Sequence, residues 1–188
     1  MPAYLAALTI VLMIAIVLTR VLLLRRQGIE AMNFGKLDKT DFLIPPFALF
    51  YFYFVFAAAF GWPTLSRQVF FQSQAFAWAG VLHCLIGLAG LLWSVISFGR
   101  SFRVGIDTEH PDRLITTGVF AVSRNPIYTA FAFILLGQFL VFPNWILLLY
   151  TAAGFWLLHR QVLREEAYLQ QHYGEEYLGY CKRVRRYL

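Results

Sequence analysis

Charge is scarce in this chain. Asp, Glu, Lys and Arg together make up only 14% of its 188 residues, too few for an ordinary soluble domain. Cysteine is rarer still. Cys84 sits inside an apolar run and Cys181 near the C-terminus, so no disulfide framework and no Cys/His metal spacing is present. Neither a βαβ alternation nor a G-x-G-x-x-G turn occurs, which removes the nucleotide-cradling turn of soluble parallel-sheet folds. What the chain has instead is apolar bulk, 60% hydrophobic and 18% aromatic, with a mean hydropathy of +0.61. That composition places it in a membrane. Its formal charge is +6, yet the basic residues flank apolar runs. They read as topology and lipid-headgroup charges, and nucleic acid is not an expected partner.

Five apolar runs follow one another. The first, Ala3 to Leu24, is long enough for a hydrocarbon core of about 30 Å. It is broken only by Arg20, which is expected to snorkel toward the headgroups with Arg25 and Arg26. A cleavable signal peptide would need a basic leading region and a shorter apolar run. The second, Phe42 to Phe60, carries Pro45 and Pro46 near its start, where they suit a first helical turn or a kink. In the third, Gln74 to Phe98, the residues Gly80, Gly87 and Gly90 would let a neighbouring helix come close. The fourth and fifth, Ile127 to Phe142 and Trp145 to Leu158, are split by the turn signal Pro143-Asn144. Both are shorter than the roughly 20 residues of a comfortable span. From Glu175 onward Tyr177, Cys181, Val184 and Leu188 recur at helical spacing. This predicts an amphipathic interfacial tail helix, separated by Gly174 from the helix leaving the fifth run. The expected fold is an all-α integral membrane domain over 1–188. It has about five transmembrane helices, the last two forming a short hairpin.

Lysine and arginine give the orientation. The loop Arg25 to Asp41, the loop Gly99 to Pro126 and the tail each hold several basic residues, whereas Gly61 to Ser73 has only Arg67. The positive-inside rule then puts the N-terminus outside and the C-terminus in the cytoplasm. The polar clusters converge on that one face, where a site could serve a water-soluble cofactor and a lipid-embedded acceptor.

Three motif blocks lie there: Leu114-Ile115-Thr116-Thr117-Gly118-Val119-Phe120, then Ser123-Arg124-Asn125-Pro126-Ile127-Tyr128, and, after the hairpin, Arg164-Glu165-Glu166 ahead of Gly174-Glu175-Glu176-Tyr177. In combination they resemble the isoprenylcysteine carboxyl methyltransferase family, integral membrane methyltransferases with phospholipid methyltransferases among their relatives. The resemblance runs from Trp93 to Tyr187. It takes in Phe98-Gly99-Arg100-Ser101-Phe102-Arg103 and Gly105-Ile106 as the approach to the cofactor loop. Phe120 stands where the family usually has Tyr, and Asn125 replaces the His of its Arg-His-Pro-x-Tyr pattern.

The resemblance implies S-adenosyl-L-methionine as cofactor, held by Leu114, Ile115, Phe120, Asn125, Pro126, Ile127, Tyr128 and Glu165 between the first two blocks and the Arg164–Glu166 helix. Residues 74–188 would form the methyltransferase core, and 1–73 would supply two further spans on the acceptor side. Gln161 occupies the position of the family's substrate-orienting Arg, so Arg160 and Arg164 become the candidates. The implied reaction is carboxyl O-methylation of a lipophilic, isoprenylcysteine-like acceptor entering from the bilayer, with membrane lipids as partners and no metal. Methyl transfer is an in-line displacement that needs alignment and exclusion of water more than a strong base. His83, His110, His159 and His172 are therefore read as polar interfacial residues. Three alternatives remain open: a phospholipid N-methyltransferase using Glu166 or a His as base, a membrane reductase, and a non-catalytic scaffold. The compact chain fits a bacterial inner membrane.

Overall fold

A computed structural model describes residues 1–28, 44–63, 69–99 and 114–188. Lys36, Arg67, Arg100, Arg103, Arg113 and His110, with the Ser101–Ile106 part of the loop approach, lie outside them. Six α-helices and one 3₁₀ turn make up the described architecture: α1 Pro2–Arg26, α2 Ile44–Phe60, α3 Gln74–Phe98, the turn Gly118–Ala121, α4 Pro126–Val141, α5 Trp145–Tyr173 and α6 Glu175–Arg183.

The helices alternate in direction. Tyr4 meets Phe60 at 5.6 Å between ring centroids, so the end of α2 lies beside the start of α1. The Arg20 guanidinium of α1 donates to the Gly99 carbonyl just past α3. The ends of α1 and α3 therefore share one face of the bundle with the start of α4, where Val119 N donates to Ser97 Oγ at 3.2 Å. Arg20 was expected to snorkel. It closes a carbonyl that the last turn of a helix leaves without a partner.

At the opposite end Phe70 N donates to Pro143 O at 2.8 Å, and Asn144 caps α5 by accepting from Leu147 N at 3.0 Å. Pro143-Asn144 is thus the hairpin turn that its residues announced.

Three helices, α1, α3 and α5, are long and apolar enough to cross a membrane, while the apolar helices Pro46–Phe60 and Pro126–Val141 are shorter. The hairpin is consequently uneven. Its first arm is short as expected, but its second runs unbroken for 29 residues, because Arg160 to Tyr173 is built of good helix formers that carry the helix on after the hydropathy falls. Exposed Leu82, Leu85 and Ile96 on α3 form an outward apolar surface suited to lipid. Exposed Trp78 and Trp93 on that helix are separated by about 22 Å of rise.

The tightest seam joins α3 and α4. A Cβ on Gly80 or on Gly137 would sit 2.6 Å from the other's carbonyl oxygen, and one on Gly87 would sit 2.7 Å from Ala130 O, so these backbones touch as only glycine permits. Gly90 is different, with just the Ala130 Cβ at 3.5 Å. Gln138, wholly buried, ties α4 to α1 by donating to Ala6 O at 2.7 Å. Gly174, at φ 51°, breaks α5 from α6 as expected. The tail departs from expectation beyond that point. Its helix stops at Arg183, Val184 is extended, and Tyr177 and Tyr180 are buried against protein.

Candidate functional site

Gly118 starts the site. Its φ is +64°, and a Cβ there would meet Ser97 Oγ at 2.5 Å, so only glycine lets the loop settle on the end of α3. This seats Phe120, which is buried and meets Phe98 edge-on at 4.5 Å. Tyr180 of α6 donates to Phe120 O at 2.6 Å. Burial pushes the Tyr180 hydroxyl up to about 12, which keeps it protonated and donating. The neighbouring Tyr177 is raised as well, again chiefly by burial.

Next along the chain, Ser123-Arg124-Asn125 leads into α4 with Pro126 in the first helical turn, a position that needs no N–H. Across from it, α5 presents the two adjacent carboxylates. Successive helical residues point about 100° apart, and Glu165 and Glu166 accordingly have different surroundings.

Glu166 is buried and filled on both oxygens. Oε1 accepts from Arg124 Nε and Nη2 at 3.2 and 3.1 Å and from Asn125 Nδ2 at 2.9 Å. Oε2 accepts from Arg186 Nε at 2.9 Å and also from its Nη2 at 2.9 Å. Arg124 spends Nη1 on Cys181 O and Val184 O, both at 3.2 Å, at the C-terminal end of α6 where a cation is favoured. The extended tail lies alongside: Arg124 N donates to Arg185 O at 2.9 Å, and Asn125 Nδ2 donates to Arg186 O at 3.1 Å. One carboxylate thus gathers the α4 entrance, α5 and the chain terminus into a knot.

Glu165 faces the other way. Tyr128 donates its hydroxyl to Glu165 Oε1, and Gln161 Nε2 donates to the same oxygen at 3.0 Å. Arg164 donates to the Gln161 carbonyl oxygen, so Gln161 relays that cation to the carboxylate. Both of these bonds fall on Oε1.

Of the residues singled out in the sequence, the structure therefore brings together Phe120, Asn125, Pro126, Tyr128, Arg164 and Glu165. Leu114 and Ile115 are half-buried in the extended approach to the 3₁₀ turn. Ile127 packs with Val21, Leu91 and Ala130 in the core between α1, α3 and α4. Arg160 stands over the Trp156 ring at 5.8 Å, turned toward an exposed aromatic. Asn125 has both amide hydrogens engaged by the knot. Sequence reasoning did not find Arg186, Ser123 or the structural part played by Arg124 and Glu166. The alternation of the last residues was the available signal, since Arg185 and Arg186 point to opposite sides of an extended strand.

Comparison with known proteins bears on the same residues. The family model described as phospholipid methyltransferase matches residues 75–176. Over 127 residues, 64% of each chain, the protein is 32% identical to protein-S-isoprenylcysteine O-methyltransferase B of Arabidopsis thaliana. It is 31% identical to the Rattus norvegicus protein-S-isoprenylcysteine O-methyltransferase over 126 residues, 65% of this chain and 43% of the rat one. A probable protein-S-isoprenylcysteine O-methyltransferase of Oryza sativa subsp. indica is 26% identical over 167 residues, 87% of this chain and 76% of that one. The chain thus spans about two thirds or less of the Arabidopsis and rat proteins. No solved structure matches it. The matched stretch covers more than half of the chain and contains Phe120, Tyr128, Glu165 and Glu166, and the chain accordingly belongs to the phospholipid methyltransferase family, alongside the isoprenylcysteine carboxyl methyltransferases.

Proposed function

We propose that the protein is an S-adenosyl-L-methionine-dependent carboxyl O-methyltransferase acting on a lipophilic, isoprenylcysteine-like acceptor within the membrane. The observation that carries this reading is the meeting of Tyr128 and Glu165 across α4 and α5, beneath the loop seated by Phe120 and inside the family match.

The donor set fits the cofactor. The Glu165 carboxylate is chemically suited to an ammonium or to ribose hydroxyls. Phe98 and Phe120 supply an aromatic wall, and the Leu114–Thr117 backbone supplies polar groups beside it. The cofactor, when bound, provides a methyl group on an electrophilic sulfonium. The chain's own task is alignment: Tyr128 and Gln161 fix Glu165, the Glu166 knot fixes the loop, and the helices keep water away from the acceptor. Arg164 and Arg160 are the candidates to orient a substrate carboxylate, which a planar guanidinium grips through two bonds.

Oxygen methylation is favoured over the amine reading by Glu166. An amine acceptor requires removal of a proton, and Glu166, engaged by Arg124, Asn125 and Arg186, is a carboxylate kept in place by cations and poorly suited to that task.

Calorimetric titration with S-adenosylhomocysteine tests the site. Replacing Glu165 by Ala should weaken binding by about 1.5–3 kcal/mol, the worth of a hydrogen bond to a charged group. Wild-type affinity in Glu165→Ala would overturn the reading. We also assign the N-terminus to the outside and the C-terminus to the cytoplasm of a bacterial inner membrane. In a background lacking Cys84 and Cys181, an impermeant thiol reagent should label Gln72→Cys but not Leu188→Cys in intact cells, and the reverse pattern would invert the topology.

A further inference from the structure

The C-terminal strap carries three cations that have no ion-pair partner among the described residues. Lys182 and Arg183 end α6, Arg185 follows on the extended stretch, and all three side chains are exposed. The acids of α6, Glu175 and Glu176, occupy its first turn, about 9–12 Å of helical rise from Lys182 and Arg183, too far for the pairs that form three or four residues apart. Arg185 and Arg186 divide their work: the Arg186 side chain turns inward to Glu166, and Arg185 gives its backbone oxygen to Arg124 N while its side chain stays outside.

The position of the strap on the bundle is also defined. Tyr187 at its end pairs with His159 Nδ1 at 2.7 Å, which ties the strap to α5 one turn past the exposed Trp156. Arg25 and Arg26, exposed at the end of α1, lie on the same face of the bundle. The cations are therefore on the polar face of the bundle that also carries Arg25 and Arg26, and on the outer side of a segment whose inner side holds the Glu166 knot together.

We propose that Lys182, Arg183 and Arg185 bind the anionic headgroups of the adjoining leaflet, and that this contact holds the strap down on the Glu166 knot, making order in the site depend on membrane charge. The site's identity rests on the reading given above; the strap's geometry and its test do not. The partner is a lipid surface because the three cations are spread over a helix end and an extended segment, which suits many singly charged headgroups, and because they share their face with Arg25 and Arg26, the basic end of the apolar helix α1. Each such cation near an anionic surface is attracted by an amount that accumulates along the cluster and falls away within a Debye length.

Hydrogen exchange of the full-length protein in nanodiscs, without methyl donor, reads the effect at the amides of Arg124, bonded to Arg185 O, and of Val184, bonded to Tyr180 O. Exchange should be slower by on the order of tenfold or more in phosphatidylglycerol-containing discs than in pure phosphatidylcholine, and high salt should erase the difference. A variant carrying Lys182→Gln, Arg183→Gln and Arg185→Gln together should exchange alike in both lipids. Equal exchange of the wild type in the two bilayers would overturn the proposal, as would lipid dependence that survives in the triple variant. So would equal protection by inorganic phosphate or a short RNA added to phosphatidylcholine discs, which would assign the cations to a soluble anion. Because no donor is present, any of these failures leaves the effect of Glu165→Ala on cofactor binding untouched.

Discussion

The α3–α4 seam and the Glu166 knot hold the same bundle by opposite means. In the seam, Gly80, Gly87 and Gly137 contribute no side chain at all, and the helices are joined by backbones in contact. In the knot, a buried carboxylate is wrapped by two guanidinium groups and an amide, and little apolar surface is involved. The difference follows from the solvent. Between helices in hydrocarbon, hiding apolar surface gains nothing, so close fit supplies the attraction. At the polar mouth, side chains can be collected into a network whose every member is satisfied. The site sits on the network, so its geometry depends on charge while the bundle beneath depends on shape.

That contrast predicts the most severe lesion at the knot. Glu166→Ala would leave Arg124, only 11% exposed, as a buried cation without its counter-charge. Breaking a buried pair in this way costs about 3–5 kcal/mol, somewhat less here because Arg186 is 40% exposed and can turn to water. The variant should lose thermal stability and cofactor binding together. A Glu166→Ala protein that stays stable and binds normally would show that the knot is an accessory to the fold.

The seam should respond to volume instead of charge. Gly137→Leu would drive side-chain atoms into Gly80 O and Cys84, and overpacking of this kind costs about 1–3 kcal/mol or more. Gly90→Ala, with only the Ala130 Cβ at 3.5 Å, should be tolerated. Comparing melting temperatures in one detergent checks both, and equal losses at Gly137 and Gly90 would remove the seam's claim to close contact.

The two regions were not equally legible in the sequence. Gly80 and Gly87 recur two turns apart within an apolar run, and that spacing alone announced a close helix neighbour. The blocks around Phe120, Tyr128 and Glu165 were legible through their resemblance to a family, and the structure brings them together. The knot was hidden because its bonds join residues as far apart as Arg124 and Val184, and no local pattern marks a partner across that separation. The adjacency of Glu165 and Glu166 in the sequence did not tell how differently a helix aims neighbouring side chains. Hydropathy marked where α5 leaves the apolar region and Gly174 marked where the helix ends, whereas Arg20 read as a headgroup anchor until the Gly99 carbonyl beside it was known.

The smallest expected effect probes the one place where a polar bond enters the region held by shape. Gln138 is fully buried, its Nε2 donates to Ala6 O, and its own Oε1 has no partner. The donated bond contributes about 0.6 kcal/mol, the average between helices in lipid, and the orphaned oxygen works against it. Gln138→Leu removes both at similar volume, so stability should change by about 1 kcal/mol or less in either direction. Gln138→Ala removes both and leaves a void as well, and should cost about 2 kcal/mol more through the cavity. If Gln138→Leu instead destabilised the bundle as much as Gly137→Leu, a polar clamp between α1 and α4 would be holding the interior, and the division between a membrane region built by fit and a mouth built by charge would fail at its centre.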